Sequence, residues 1–251
     1  MKKLLLIIAL FFNISSSLAA GGGEQNLISR HWPFEGMMGK FDRQSIQRGY
    51  QVYKEVCASC HSLKRVYYRS LIEVGFTEAE AKAIAAEDVV IDGPDDAGDM
   101  FERPAKLSDN FVSPFPNENA ARAANGGAFP PDLSLIVKSR VNGPNYLYSL
   151  LNGYLEPPAH MKMASGMVYN AYFPGHQIAM PAPLSDGQVE YIDGTSATVE
   201  QMSYDLVNFL QWTAEPEMEE RKHMGIKVLL FLFIATFFFY IAKKRIWSNI
   251  K

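Results

Sequence analysis

The sequence predicts a mostly α fold with long loops, followed by one C-terminal transmembrane helix. Three observations predict it. Several segments place helix-capping residues just ahead of apolar positions spaced three and four apart. Strand signal is confined to what short hairpins could hold. From Met224 to Ala242 the only charge is Lys227. That stretch is long enough to cross a bilayer as a helix, and the crowded Phe237-Phe238-Phe239-Tyr240 leaves it no polar face.

The first helix is expected to start at Asp42, which can cap it while Phe41 staples onto Ile46. Ile46, Tyr50, Tyr53 and Cys57 then fall on one face, so Cys57 arrives at the apolar end of an amphipathic helix. Thr77 and Glu80 form a capping box that opens a short helix reaching about Glu87. Between Glu87 and Glu102 stand seven carboxylates and no Lys or Arg, with Gly93, Pro94 and Gly98 among them. This stretch reads as loop. Residues 117–125 form another short helix, ended by Gly126 and Gly127. Pro144 and Gly153 bracket the next. Residues 154–181 are rich in Pro, Tyr, Phe and Met without period and read as a long ordered loop. Thr198 and Gln201 open the last soluble helix, with Val199, Met202, Leu206 and Phe209 as its buried stripe and Pro216 as its stop.

Both chain ends carry targeting information. Residues 1–19 read as a signal peptide: Lys2 and Lys3, an apolar run from Leu4 to Phe12, and small residues at Ser17 and Ala19. Lys243, Lys244, Arg245 and Lys251 follow the apolar span, and positive charge there places the tail in the cytoplasm. The two signals agree on one topology: residues 20–223 outside, an anchor at 224–242, and a short inner tail at 243–251. The net charge of −3 and the lack of a basic patch away from the chain ends argue against nucleic acid as a partner.

Only two cysteines exist, and both lie in Cys57-Ala58-Ser59-Cys60-His61. Two thiols three apart on a helical turn can each reach a vinyl group of one haem, and the next residue presents an imidazole to the iron. The spacing reads as covalent attachment of one c-type haem, with His61 as an iron ligand. Half a zinc site would need a second pair of ligands, and no further cysteine exists. A thioredoxin-like pair would call for a βαβ context, which the sequence lacks.

The sixth ligand has several candidates. Of eleven methionines, Met161, Met163, Met167 and Met180 lie in the aromatic loop, alongside His160 and His176. Met202 sits on a helical stripe where core packing accounts for it. Met180 is favoured because Pro181 fixes an extended backbone at it. Haem propionates call for a cation, and Arg122 is a candidate because a guanidinium binds carboxylate through two parallel bonds.

These residues resemble the cytochrome c1 family, the haem subunits of the respiratory quinol–cytochrome c reductase (complex III). The resemblance covers nearly the whole mature chain. It is carried by His31-Trp32-Pro33-Phe34-Glu35-Gly36, the haem motif, Ala121-Arg122-Ala123-Ala124-Asn125, and Pro130-Pro131-Asp132-Leu133. It continues through Tyr172-Phe173-Pro174-Gly175, Ala179-Met180-Pro181, Trp212-Thr213-Ala214-Glu215-Pro216-Glu217 and the Met224-Gly225 entry to the anchor with Lys227.

The resemblance implies a class-I-like cytochrome c domain, with Met180 as sixth ligand and Arg122 as propionate partner. It implies an electron-transfer subunit that is not an enzyme on its own. Electrons would come from a Rieske iron–sulfur protein and go to a cytochrome c. Cytochrome b would lie beside the anchor, in a dimeric complex of the inner membrane with the haem domain on the periplasmic side. The acidic stretch would steer a lysine-rimmed acceptor. Some bacterial members brace the domain with an extra cysteine pair. This chain has none, which leaves the loop holding Met180 supported by packing alone.

Overall fold

The computed structural model describes residues 26–248. The signal peptide expected at 1–19 lies outside the described residues, as does Lys251 of the basic tail. The elements are α1 (Arg43–Glu55), α2 (Glu78–Ala86), β1 (Val89–Asp92), β2 (Phe101–Pro104), α3 (Glu118–Ala124), α4 (Gly143–Leu151), β3 (Val168–Tyr169), β4 (Gln177–Ile178), α5 (Val199–Ala214) and α6 (Met218–Trp247). Three 3-10 turns, Cys57–Ser59, Tyr68–Val74 and Pro174–His176, fill the connections.

Helix starts follow local chemistry. The Asp42 side chain accepts from the Ser45 amide, and Thr77 and Glu80 close a reciprocal capping box. Asn117 caps α3 the same way. At α5 only half of the expected box forms. Thr198 accepts from the Gln201 amide, but the Gln201 side chain, instead of reaching back to accept from the Thr198 amide, turns to Asp205 and donates Nε2–H to its buried carboxylate at 3.0 Å.

The domain core is built where α1 crosses α5. Gly49 makes the crossing close: a Cβ there would meet the Asp205 carbonyl oxygen at 2.0 Å and the Phe209 Cβ at 2.8 Å. Tyr50 and Tyr53 pack against Phe111 and Phe209 with ring centroids 5.7–6.3 Å apart. The N-terminal loop is part of this core. Trp32 is buried, donates Nε1–H to Asn145 Oδ1 at 2.8 Å, and stacks on Tyr204 at 5.1 Å. Ile28 N–H donates to Ser149 Oγ at 2.8 Å, fixing the same loop to α4.

Residues 87–102 are not simply loop, as the sequence suggested. Val89 pairs with Pro104 and Asp92 with Phe101 in an antiparallel hairpin. Arg103 closes it, donating to Asp92 and reaching Asp109 at 2.6 Å and 3.1 Å. The β-branched run Val89-Val90-Ile91 carries the strand signal, which the density of carboxylates and turn residues hid.

The last helix starts at Met218, directly after the domain, and runs 30 residues, about 45 Å at the usual helix rise. It is long and apolar enough to cross a membrane, and none of its apolar stretch is buried in the protein. Its first turns bind the domain. Glu219 accepts from Arg43 at 2.6 Å and 2.8 Å and from the Phe41 amide at 2.6 Å. Glu215 joins Lys138 at 3.0 Å and Arg221 at 3.1 Å.

Candidate cofactor-attachment site

The chain leaves α1 at Glu55 and tightens into the 3-10 turn Cys57–Ser59. The amides of Cys60 and His61 both donate to the Cys57 carbonyl, at 3.1 Å and 2.8 Å. Both cysteines and His61 therefore sit on one compact turn. The two cysteines are free thiols and half-buried. Burial, with Cys60 adjacent, pushes the Cys57 thiol up to about 12. A thiol held protonated in this way is the opposite of an activated redox cysteine.

His61 is positioned with care for one nitrogen. Its Nδ1 lies 2.8 Å from the Pro131 carbonyl. A carbonyl oxygen only accepts, so Nδ1 carries the hydrogen and Nε2 keeps its lone pair. Burial lowers the His61 pKa, and the bond to Pro131 opposes that only in part. The ring is neutral, with a metal-ligating nitrogen available and its tautomer fixed from outside.

A clamp holds the Pro131 carbonyl in place. Asp132 Oδ2 accepts from Ser62 Oγ at 2.9 Å and from the Lys64 amide at 2.8 Å, and the Leu133 amide donates to the Ser62 carbonyl at 2.9 Å. Burial acts to raise the Asp132 carboxyl, but the bonds from Lys64, Ser134 and Ser62 outweigh it and leave its pKa lowered. Tyr53 donates its hydroxyl to the His61 carbonyl at 3.0 Å.

Cys60 and Ser62 open onto a shallow groove shared with Phe115, Ala121, Phe129 and Pro130. Arg122 follows Ala121 at the edge of this groove. Its Nε and Nη2 donate to Glu118 Oε1 at 2.9 Å and 2.6 Å, and Nη1 donates to the Gly127 carbonyl at 3.0 Å. Its guanidinium also lies over the Phe129 ring, 5.5 Å from the centroid. The structure thus places Arg122 beside the groove but pairs it with Glu118.

Met180 lies on a separate segment, two residues beyond β4, half-buried and packed against the core. Of the other candidates, His160 and Met167 are exposed, and the His176 ring stacks on Tyr169 at 5.8 Å. Met202 is fully buried within α5.

The loop holding Met180 does not rest on packing alone, as the missing cysteine pair suggested. Tyr154 donates its hydroxyl to the Met180 carbonyl at 3.2 Å. Asn170 is fully buried and ties the loop to the end of α4. Its Nδ2 donates to the Leu150 carbonyl at 2.8 Å, while Oδ1 accepts from the Tyr172 and Phe173 amides at 3.0 Å and 3.1 Å. Gly153 leaves room for this node: a Cβ there would meet Tyr172 Cδ2 at 2.6 Å and Asn170 Oδ1 at 2.9 Å.

Spacing and periodicity do not mark Asn170, Tyr154, Asp132 or the Pro131 carbonyl as supports. Only tandem Pro130-Pro131 carried a readable signal: two residues without N–H groups, next to an Asp suited to accepting from backbone amides.

Charge-assisted and neutral donors gather here as they would around a ligand turn that must not move. The two thiols, the neutral imidazole with an open Nε2, and the adjoining groove fit a haem joined through both sulfurs. Among the described residues, no group of three or more His, Cys, Asp and Glu gathers that could hold a metal ion without such a cofactor.

Fold and site together define a mostly helical domain that carries a half-buried Cys-x-x-Cys-His turn and is followed, among the described residues, by one helix long and apolar enough to cross a membrane. A model of the cytochrome c1 family matches residues 32–250, and the chain belongs to that family. It is 56% identical over 220 residues to "cytochrome c1 1, heme protein, mitochondrial" of Arabidopsis thaliana, covering 88% of this chain and 72% of that one. It is 44% identical over 266 residues to the cytochrome c1 of Rhodospirillum rubrum, covering 100% of this chain and 98% of that one. It is 48% identical over 263 residues to the "cytochrome b/c1" of Bradyrhizobium diazoefficiens, covering 96% of this chain and 38% of that longer protein.

Proposed function

We propose that this chain is the membrane-anchored c-type haem subunit of a respiratory quinol–cytochrome c reductase, and that it passes single electrons from a Rieske iron–sulfur protein to a cytochrome c. The observation that carries the reading is the His61 ring, neutral, fixed through Nδ1 by Pro131, and set on the same turn as two free thiols. Cys57 and Cys60 would hold the haem through thioether bonds, and His61 Nε2 and Met180 Sδ would bind its iron. Bound there, the haem supplies a one-electron iron couple. The chain's own part would be to keep His61 and Met180 in place in either oxidation state, which would keep reorganisation small. Arg122 would reach a propionate by sharing or leaving Glu118.

Residues 1–19 would direct export, residues 20–223 would stand on the periplasmic side, and residues 224–242 would cross the inner membrane. The basic tail at 243–251 would remain in the cytoplasm. Cytochrome b would lie against the anchor, within a dimeric complex. The relative whose printed name joins cytochrome b to c1 supports that neighbour. The acidic hairpin supports docking of a cationic acceptor: Asp95, Asp96, Asp99 and Glu102 are all exposed.

Two experiments test the reading. Met180→Leu is expected to lower the reduction potential and to open the iron of the reduced protein to carbon monoxide. An unchanged potential would assign the sixth ligand elsewhere. Gentle detergent extraction is expected to bring cytochrome b and the Rieske protein with this chain. Purification of the chain alone would favour a free-standing tethered cytochrome instead.

A further inference from the structure

Met37 and Met38 stand at the tip of a turn between Phe34 and Phe41 and are 67% and 70% exposed. Two adjacent large apolar side chains on a soluble surface need a reason. The turn is rigid rather than loose. The Glu35 amide donates to the Trp32 carbonyl at 3.0 Å and the Lys40 amide to the Pro33 carbonyl at 2.9 Å. It is also lashed to α6: Lys222 Nζ donates to the Phe34 carbonyl at 2.6 Å and to the Gly39 carbonyl at 3.2 Å.

These ties set the turn at one height on the helix. Met37, Met38 and Lys40 line a small hollow together with Lys222, His223 and Ile226. Ile226 lies two residues inside the apolar stretch that starts at Met224. The methionine pair is therefore level with the point where α6 becomes apolar on all sides. Lys40 and Lys227 are exposed at the same level, as cations would be at a phosphate layer.

We propose that the Met37–Met38 turn is immersed in the outer-leaflet interface of the bilayer, with its two thioether side chains among acyl chains and Lys40 and Lys227 at phospholipid phosphates. The turn and the helix then make two separate contacts with one lipid surface. A domain held only by a helix could swing about its entry point. A second foot fixes the tilt of the domain, and so the height at which the His61 turn faces its partners. This proposal rests on the reading of α6 as a membrane span, and its occupant is lipid because the turn is continuous with that span.

The test is photochemical cross-linking in the assembled complex in its native membrane. Met38→p-benzoylphenylalanine is irradiated, and the adducts on this chain are identified by mass spectrometry. Phe231 and Phe233, on opposite sides of α6, are replaced in parallel in the same way. Phospholipid acyl adducts as the main product at position 38 are the expected result. A partner polypeptide as the main product at 38, or no adduct there, with lipid captured at 231 or 233, overturns the turn proposal and leaves the span intact. No lipid captured at any of the three positions overturns both.

Discussion

The Arg48 guanidinium closes on the fully buried Asp205 carboxylate through two parallel bonds, Nε to Oδ2 at 2.9 Å and Nη2 to Oδ1 at 3.0 Å. Ser45 Oγ adds a third donor at 2.7 Å. This node sits at the α1–α5 crossing that carries the cysteine turn. Removing the Asp205 charge leaves a mostly buried guanidinium with only a surface carboxylate, Asp193, as its counter-charge. Asp205→Asn is therefore expected to lower stability by about 3 kcal/mol, read from denaturant unfolding of the haem-loaded full chain in detergent. A loss within experimental error would show that Arg48 is satisfied without Asp205.

Asp193 gives the same arginine a second carboxylate, at 2.8 Å, from the surface. Bonds from Thr195, followed by the Arg48 guanidinium, hold the Asp193 carboxyl at about 2. A depressed carboxyl stabilises the fold above its unfolded pKa, and the contribution disappears as pH falls through the folded value. Thermal unfolding of the native protein should therefore lose stability relative to Asp193→Asn as pH drops from about 4 towards 2, with the difference between them constant at neutral pH. Parallel curves over the whole range would place the ion pair outside the stability balance.

Tyr154 contributes one bond to the Met180 carbonyl, and Tyr154→Phe removes it alone. A single neutral hydrogen bond is worth about 1 kcal/mol, which is roughly a fivefold change in the population of a locally opened loop. Carbon monoxide binding to the reduced protein should speed up by that factor while the unfolding temperature moves little. Asn170→Ala, which removes three bonds at a buried node, should show a larger increase.

The acidic hairpin predicts a salt-dependent effect. Asp96→Asn, Asp99→Asn and Glu102→Gln together should slow reduction of a cationic cytochrome c by roughly threefold or more at low ionic strength. The difference should shrink as salt rises. A salt-independent loss would point to a damaged hairpin instead of lost steering.

Four helix starts were legible because capping is local: Asp42, Thr77, Asn117 and Thr198 each accept from an amide three residues on. The Cys57–His61 turn stood out in the sequence because the spacing of its two cysteines and histidine is distinctive. The hairpin at 89–104 was only half legible, since its closing ion pairs join Arg103 to Asp92 and Asp109 across turns. The supports of the candidate site were hidden for a different reason. Asp132 and Asn170 act on backbone groups 68 and 20 residues away, and such pairings leave no periodic trace. The half-formed box at α5 shows the same limit, because Gln201 answers to a buried Asp205 whose burial only the packed helices create.

Covalent attachment is the claim on which the functional reading stands. Acid–acetone extraction of the purified chain, followed by an alkaline pyridine spectrum of the precipitate, tests it most directly. The pigment should stay with the polypeptide and give the spectrum of a haem whose two vinyl groups are both saturated. Pigment released into the solvent, or full loading after Cys57→Ala and Cys60→Ala are combined, would contradict the account.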